Sequence, residues 1–436
     1  MSGTERPGDP RRPRRGAAVV ATLALLFGLV ACGGDDRDES LLGDDQSTRV
    51  TVEEARKQEQ RILKQRVRAV LDRDVALFLR RVDHDDKALM ARQRRYFRNL
   101  VQLPLATLDY RVLDQQWEGL IPAKRWGEDV HAPKVRLTMQ LEGYDAIPVE
   151  RTVGFVFAFP KGRGMIVSDR AGNGKPLFEG APAPWDLTAI TVREEPGVLG
   201  IFDRGTAPSA PTVTAAVRNG IDQIERALPF AWSGNVVVYN VQSSNVLASF
   251  TDVPGGTLDH LGALTFPTYA RNAPSQVAST RLLVMPSSVR AGQPFLGRIT
   301  RHELSHVAIG IRDDGAPVWL SEGIAEYLGA REIPLRDRII PTSALTRART
   351  EDSEMPVSHS FNDTDQEWHY ALSWMACDYV ADYFGESRLW ELVDAMHNGG
   401  QGTPDAQQDR VLEQVLGLDS RELARRAAAR IRNLYG

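Results

Sequence analysis

The sequence predicts an α+β protein, and three observations carry that prediction. Apolar residues recur at helical spacing from about Val50 to His84. Strand-like runs follow between Pro, Gly and Asp breaks, and from Gln293 onward the pattern is almost wholly helical. Blocks of helix and strand followed by a helical half make an α+β chain. At 436 residues, 42% apolar and 25% charged, the chain has the composition of a soluble globular protein and the length for two folded domains.

The first 31 residues stand apart. The basic stretch "RPGDPRRPRRG" leads into an apolar run, Ala17 to Ala31, and then into "CGG". That run falls short of the roughly 20 residues of a membrane span, and the order of charge, apolar core and small residues is that of a secretory signal. It ends in "LVAC", Leu29 to Cys32, which resembles the bacterial lipobox. The resemblance implies a lipoprotein signal peptide over 1–31, with Cys32 diacylated as the first mature residue and anchoring the protein to the extracytoplasmic face of the membrane. The alternative is a buried or accidental Cys. Residues 32–49 are polar, acidic and glycine-bearing, a flexible tether.

Removing residues 1–31 takes away five Arg and two acidic residues, so the formal charge moves from 53 − 57 = −4 to 48 − 55 = −7. A mildly acidic protein has no electrostatic case for binding nucleic acid. Cys377 is then the one remaining thiol, so a disulfide framework within the chain is excluded. Its apolar setting, "SWMACDYVADYF", predicts a buried structural Cys rather than a nucleophile.

In the first domain, Ile62, Val67, Val70, Leu71, Val75, Leu77 and Phe78 keep helical spacing, and a second short helix is expected over Lys87 to Leu100. Four alternating runs follow: "TLDYRVLDQQW", "KVRLTMQLEGY", "VERTVGFVFAF" and "GMIVSDR". Helices and then a four-strand meander predict a curved sheet folded over a helix. That order resembles the nuclear-transport-factor-2-like (cystatin-like α+β) domain, here over residues 50–182. Such domains often enclose a pocket. No cluster of His, Asp or Cys marks it as catalytic, and His84 and His131 read as surface residues.

The Gly/Pro-rich connector "GNGKPLFEGAPAPWD" places a boundary near Pro182. The second domain, 183–436, opens with two short strands about the turn "EPG". The helix "TVTAAVRNGIDQIERAL" comes next, then the strands "NVVVYNV" and "TRLLVMPSSV", then the helical half.

Early in that half stands "RHELSHVAIG", Arg301 to Gly310. On a helix, residues four apart lie about one turn apart on one side, so His302 and His306 can present both imidazoles to one ion. Glu303 is rotated by roughly 100° and can reach a water on that ion without itself being a ligand. Neutral imidazoles bind Zn²⁺, the ion lowers the pKa of water to about 7, and a carboxylate takes the proton during attack on a carbonyl. Alone, HExxH turns up by chance in roughly one chain of this length in a hundred. The next segment, "GAPVWLSEGIAEYLGAR", makes the pattern more specific. Pro317 suits a helix start, Trp319, Leu320, Ile324, Tyr327 and Leu328 mark an apolar face, and Glu322 and Glu326 sit four apart. A carboxylate from this helix can complete a His₂Glu site.

HExxH followed by "WLSEGIAEY" resembles the gluzincin branch of the zincin metallopeptidases, and most closely the peptidase MA-like family. The resemblance implies a zincin-like α+β domain with His302, His306 and Glu322 as zinc ligands and Glu303 as general base. A carboxylate one turn later commonly orients a ligand histidine, which here would be Glu326; the alternative is a solvated helix charge. The segment "WHYALSWMACDYVADYFGESRLWELV" is similar to the family's later helix. Zincins often place a phenol or imidazole near the metal. Tyr370 is the candidate and His369 the reserve, against a Tyr simply packed between helices. By the same analogy Leu282 to Met285 would be the edge strand lining the cleft. His260, His359 and His397 stand outside ligand spacing.

Two functions follow. One is a cell-envelope zinc metallopeptidase acting on peptide or protein substrates. The other is a catalytically silent surface lipoprotein that keeps the zincin fold as a binding or assembly module.

Overall fold

Thr51 starts the first helix through a reciprocal cap. Its hydroxyl accepts the Glu54 N–H at 3.3 Å while the Glu54 carboxylate accepts the Thr51 N–H at 3.2 Å. The computed structural model describes residues 50–118, 126, 130–250, 253, 258, 261–271, 273–349, 353–398 and 403–436. The expected signal peptide, Cys32, the tether and His260 lie outside the described residues.

Helices α1 (Val52–Leu71), α2 (Val75–Leu79) and α3 (Lys87–Leu100) bury Leu63, Phe78, Leu89 and Phe97 against the strands that follow. Those strands are β1 (Leu105–Gln116), β2 (Val130–His131), β3 (Pro133–Leu141), β4 (Val149–Gly154), β5 (Val156–Ala158), β6 (Met165–Ser168) and β7 (Phe178–Glu179). They make two sheets, in the orders β1-β3-β4-β7 and β2-β5-β6, rather than the single expected meander. The run "VERTVGFVFAF" divides between them. Val153 to Ala158 are all buried, so the alternation of a one-faced strand stops there and the chain passes from one sheet to the other. His131 also departs from expectation: it is half-buried, with Nδ1 3.3 Å from the carboxylate of buried Glu59.

After α4 (Pro184–Leu187) come β8 (Ile190–Glu195), β9 (Val198–Asp203), α5 (Ala210–Ala227), β10 (Val236–Asn240), α6 (Ser244–Leu247), β11 (Ala263–Arg271) and β12 (Ala273–Val284). They build a five-stranded mixed sheet in the order β11-β12-β10-β9-β8, parallel at its centre and antiparallel at both margins. Leu282 pairs with Val238 on one side and Thr265 on the other, so the segment expected to be the edge is internal. The edges are β8 and β11; β11, the one on that side, was not revealed by the sequence pattern, and Met285 lies beyond the end of β12. The C-terminal part of "TRLLVMPSSV" turns helical at Pro286.

The remaining helices are α7 (Pro286–Ala291), α8 (Phe295–Ile309), α9 (Val318–Ala330), α10 (Thr342–Arg347), α11 (Gln366–Tyr383), α12 (Ser387–His397), α13 (Pro404–Leu416) and α14 (Ser420–Tyr435). Helix accounts for 50% and strand for 21%, with the sheet-bearing region ahead of the helical one: the fold is α+β. No helix among the described residues is long and apolar enough to cross a membrane.

The five-stranded sheet is covered on both faces, and its two-residue period decides what covers each. Val198, Phe202, Val236, Val238, Leu282 and Val284 join a core with α5, α8 and the later helices. Leu199, Ile201, Val237, Tyr239 and Leu283 join the core of the N-terminal helices and sheet. Packing therefore continues across residue 182, and the described residues from Val50 onward belong to one compact unit.

Candidate metal centre

The site is built where α8 crosses α9. Helix α8 turns Leu296 and Leu304 into the core beneath it, which leaves His302, Glu303 and His306 toward α9 and the cleft. Arg301 fastens the crossing: its Nε and Nη2 donate to the Gly329 carbonyl at 3.0 and 2.6 Å, and its Nη1 donates to Gln223 at 3.1 Å. Two glycines let α9 come close to its neighbours. A Cβ at Gly329 would lie 3.1 Å from the Arg298 carbonyl and 3.4 Å from His302 Cβ, and one at Gly323 would lie 2.5 Å from the Ser373 carbonyl on α11.

His302, His306 and Glu322 are thereby brought together, with one ligand-type atom of each within 4.8 Å of the others. Glu322 Oε2 lies 3.3 Å from His302 Nε2 and 3.6 Å from His306 Nε2. This oxygen is buried and has no aligned hydrogen-bond donor. A carboxylate oxygen stranded between two imidazole nitrogens, all three of zinc-binding type, fits a shared cation.

Glu326 is buried rather than solvated. Its Oε1 lies 3.2 Å from His302 Nδ1, on the far side of the ring from the ligand nitrogen, and its Oε2 is paired with Arg298. A carboxylate in that position orients a metal-binding imidazole and raises its basicity. His306 Nδ1 has Ser321 Oγ at 3.5 Å.

The electrostatics agree. Burial alone would lower the pKa of His302, but the carboxylates of Glu322 and Glu326 outweigh it and hold the imidazole up to about 9. Burial would raise Glu322, yet His306 and His302 hold it well below the usual carboxylate range. His302 and the two carboxylates thus share a proton at neutral pH, which a cation bound there would have to displace.

Tyr370, on α11, faces the same cleft, its ring 6.5 Å from that of His302 and edge-on to Phe361 at 5.0 Å. Burial, and then the carboxylates of Glu322, Glu326 and Glu303, push its phenol far above the ordinary value, so it keeps its proton. His369 is turned elsewhere: its Nδ1 is 2.8 Å from the Phe361 carbonyl oxygen, and it does not line the cleft. Cys377 is fully buried, with its thiol pushed up by burial. His359 and His397 are exposed, and neither joins the cluster.

The cleft beside the cluster holds about 370 Å³, with Glu303 and Tyr370 in its wall. Sequence reasoning missed two contributors. One is Arg298, one helical turn before His302; its i, i+4 spacing and the acidic Glu326 were the available signal. The other is the Leu261–Ala263 rim that leads into β11, which had none.

Compared with known proteins, the chain matches no family model. No curated protein matches it significantly either.

Proposed function

We propose that the chain is a zinc metallopeptidase of the cell envelope, tethered through Cys32, with His302, His306 and Glu322 as the residues that hold the metal. The observation that carries this reading is the buried, donor-less oxygen of Glu322 lying between the two imidazole nitrogens. Bound zinc would supply Lewis acidity toward a peptide carbonyl and acidify a water molecule.

The rest falls to the chain's own groups. Glu303, in the cleft wall, takes the proton of the attacking water and delivers it to the leaving amine. Tyr370, held protonated, is a hydrogen-bond donor for the oxyanion that develops on the carbonyl oxygen. Glu326, backed by Arg298, keeps His302 in register. The outer edge of β11, entered past Leu261 and Ala263, offers unpaired backbone groups to an extended peptide.

The test is metal content and hydrolysis together. Protein purified without chelator should carry one zinc per chain. Glu303→Gln should keep that zinc and lose roughly 10²–10⁴-fold in peptide hydrolysis. Zinc below roughly a tenth of an equivalent would sink the reading, because a buried His₂Glu set retains its ion at neutral pH.

A further inference from the structure

On the face of the five-stranded sheet away from the metal cleft lies a cavity of about 650 Å³, and the arginines in its wall, Arg151 and Arg281, are paired with Asp186 and Asp145. Charge without a counterpart lies elsewhere, on α3. Its 14 residues hold Lys87, Arg92, Arg94, Arg95 and Arg98 and no acid, in a chain whose formal charge is −4. At about 100° per residue, Lys87, Arg94 and Arg98 fall within about 40° of one another, with Arg95 and Arg92 following on one side. Leu89, Gln93, Phe97 and Leu100 turn the opposite way, into the core.

Little in the protein answers these charges. Lys87, Arg94 and Arg98 are exposed, and none of them has a carboxylate within ion-pair distance among the described residues. The acids just ahead of the helix are Asp85 and Asp86, and Asp86 caps it by accepting the Leu89 N–H at 2.9 Å. Toward the core edge, three guanidiniums crowd one carboxylate. Asp169 accepts from Arg92 Nη2 at 2.7 Å and from Gln93 Nε2 at 2.8 Å, with Arg170 Nε at 4.0 Å. Arg95 is left with a buried Nε that has no acceptor, and its Nη2 donates to the Asp186 backbone carbonyl at 3.4 Å. Burial holds the pKa of Arg95 below its usual value; Asp169 opposes that, and the like charges of Arg170 and Arg92 add to it. Helix α14 is as rich in arginine but differs: Arg425 and Arg426 share Glu422, and Arg430 bridges Asp378 and Asp382.

We propose that the outer face of α3, with Arg170 beside it, docks on a lipid surface bearing anionic phosphate head groups. Guanidiniums donate in pairs to phosphate oxygens, and each basic residue at such a surface favours binding roughly fivefold. The choice of lipid rests on the envelope reading above. Residues 33–49 span at most about 60 Å, so an anchor at Cys32 keeps a bilayer within reach of the folded part. That anchor presents the bilayer at high effective concentration, where a modest charge contact suffices; a nucleic acid free in solution has no such advantage.

The test is co-sedimentation of residues 32–436, carrying Cys32→Ser, with vesicles of equal phosphatidylglycerol and phosphatidylcholine and with vesicles of phosphatidylcholine alone. Because this chain cannot be acylated, a failed anchor and a failed docking face are read separately. The first shows in the membrane partition of the lipidated protein, the second in this binding. Binding to the anionic vesicles is expected at low salt, at least about tenfold tighter than to the neutral ones, with a steep loss as salt rises. Arg94→Glu with Arg98→Glu should weaken it at least about twentyfold. Arg226→Glu with Arg336→Glu, exposed on other elements, changes the net charge equally and should leave binding near the parent value. If the first pair fails to fold by circular dichroism, Lys87→Glu with Arg94→Glu takes its place. The proposal is overturned if anionic vesicles are not preferred, if both charge-reversed pairs lose binding equally, or if polyuridylate binds the parent more tightly than the anionic vesicles do.

Discussion

The two faces of the five-stranded sheet hold their polar groups by different means. On the helical face, the cluster at His302 rests on spacing: two residues four apart on α8 meet two residues four apart on α9, and one helix crossing assembles the set. On the other face, Asp145, Tyr239, Ser279 and Arg281 come from three distant stretches of chain and meet only because the fold is complete. There the carboxylate and the guanidinium answer each other inside the protein. On the helical face Glu322 Oε2 has no aligned hydrogen-bond donor, only two imidazole nitrogens at 3.3 and 3.6 Å. Buried charges that pair internally hold a fold together, whereas a ligand-type atom without an aligned donor calls for a further partner, the cation of the proposed function being one that fits.

The largest effect that would break this contrast is at Asp145. Asp145→Ala leaves Arg281 buried without its carboxylate, which should cost about 3–5 kcal/mol of stability. Urea unfolding should register that loss while zinc content per folded chain stays at the parent value. A parallel fall in zinc would show that the two faces are one cooperative site.

The same contrast explains what the sequence disclosed. His302, Glu303, His306, Glu322 and Glu326 were legible because a helix converts sequence spacing directly into spatial proximity. The overall α+β order was legible for a similar reason, since block order survives folding. Strand β11 was not: Pro267 interrupts its pattern, and its partner β12 reads as the more regular strand. The division of "VERTVGFVFAF" between two sheets was hidden because six consecutive buried residues carry no alternation. The Arg281 cluster and the cavity beside it had no local signature, since residues 145, 239 and 281 share no periodic relation.

Smaller effects should sharpen the helical side. Glu326→Ala removes the carboxylate beside His302 Nδ1 and should weaken zinc binding about 10–100-fold in chelator competition. The two glycines should separate by what they touch. Gly323→Ala drives a methyl into the α11 backbone and should cost about 1–3 kcal/mol of stability. Gly329→Ala presses on Arg298 and His302 from 3.1 and 3.4 Å, so its penalty should appear chiefly as weaker zinc binding, below the loss at Glu326. Equal zinc affinity in the two alanine variants would remove the distinction.

The smallest effect belongs to the strand that serves both faces. Thr265, on β11, donates its hydroxyl to the Glu303 carbonyl at 3.1 Å, while its neighbours Leu264 and Phe266 line the cavity on the other side. Thr265→Val keeps the shape and removes that bond. The Glu303 carbonyl still accepts its own helix N–H, so one of two partners survives. The cost should therefore sit near the low end for a hydrogen bond, about 0.5 kcal/mol. If the bond only ties the edge strand to α8, zinc content will not change and the unfolding midpoint will fall slightly. If it also sets the depth of Glu303 in the cleft, kcat will drop with KM unchanged. That result would show that the edge strand tunes the proposed chemistry.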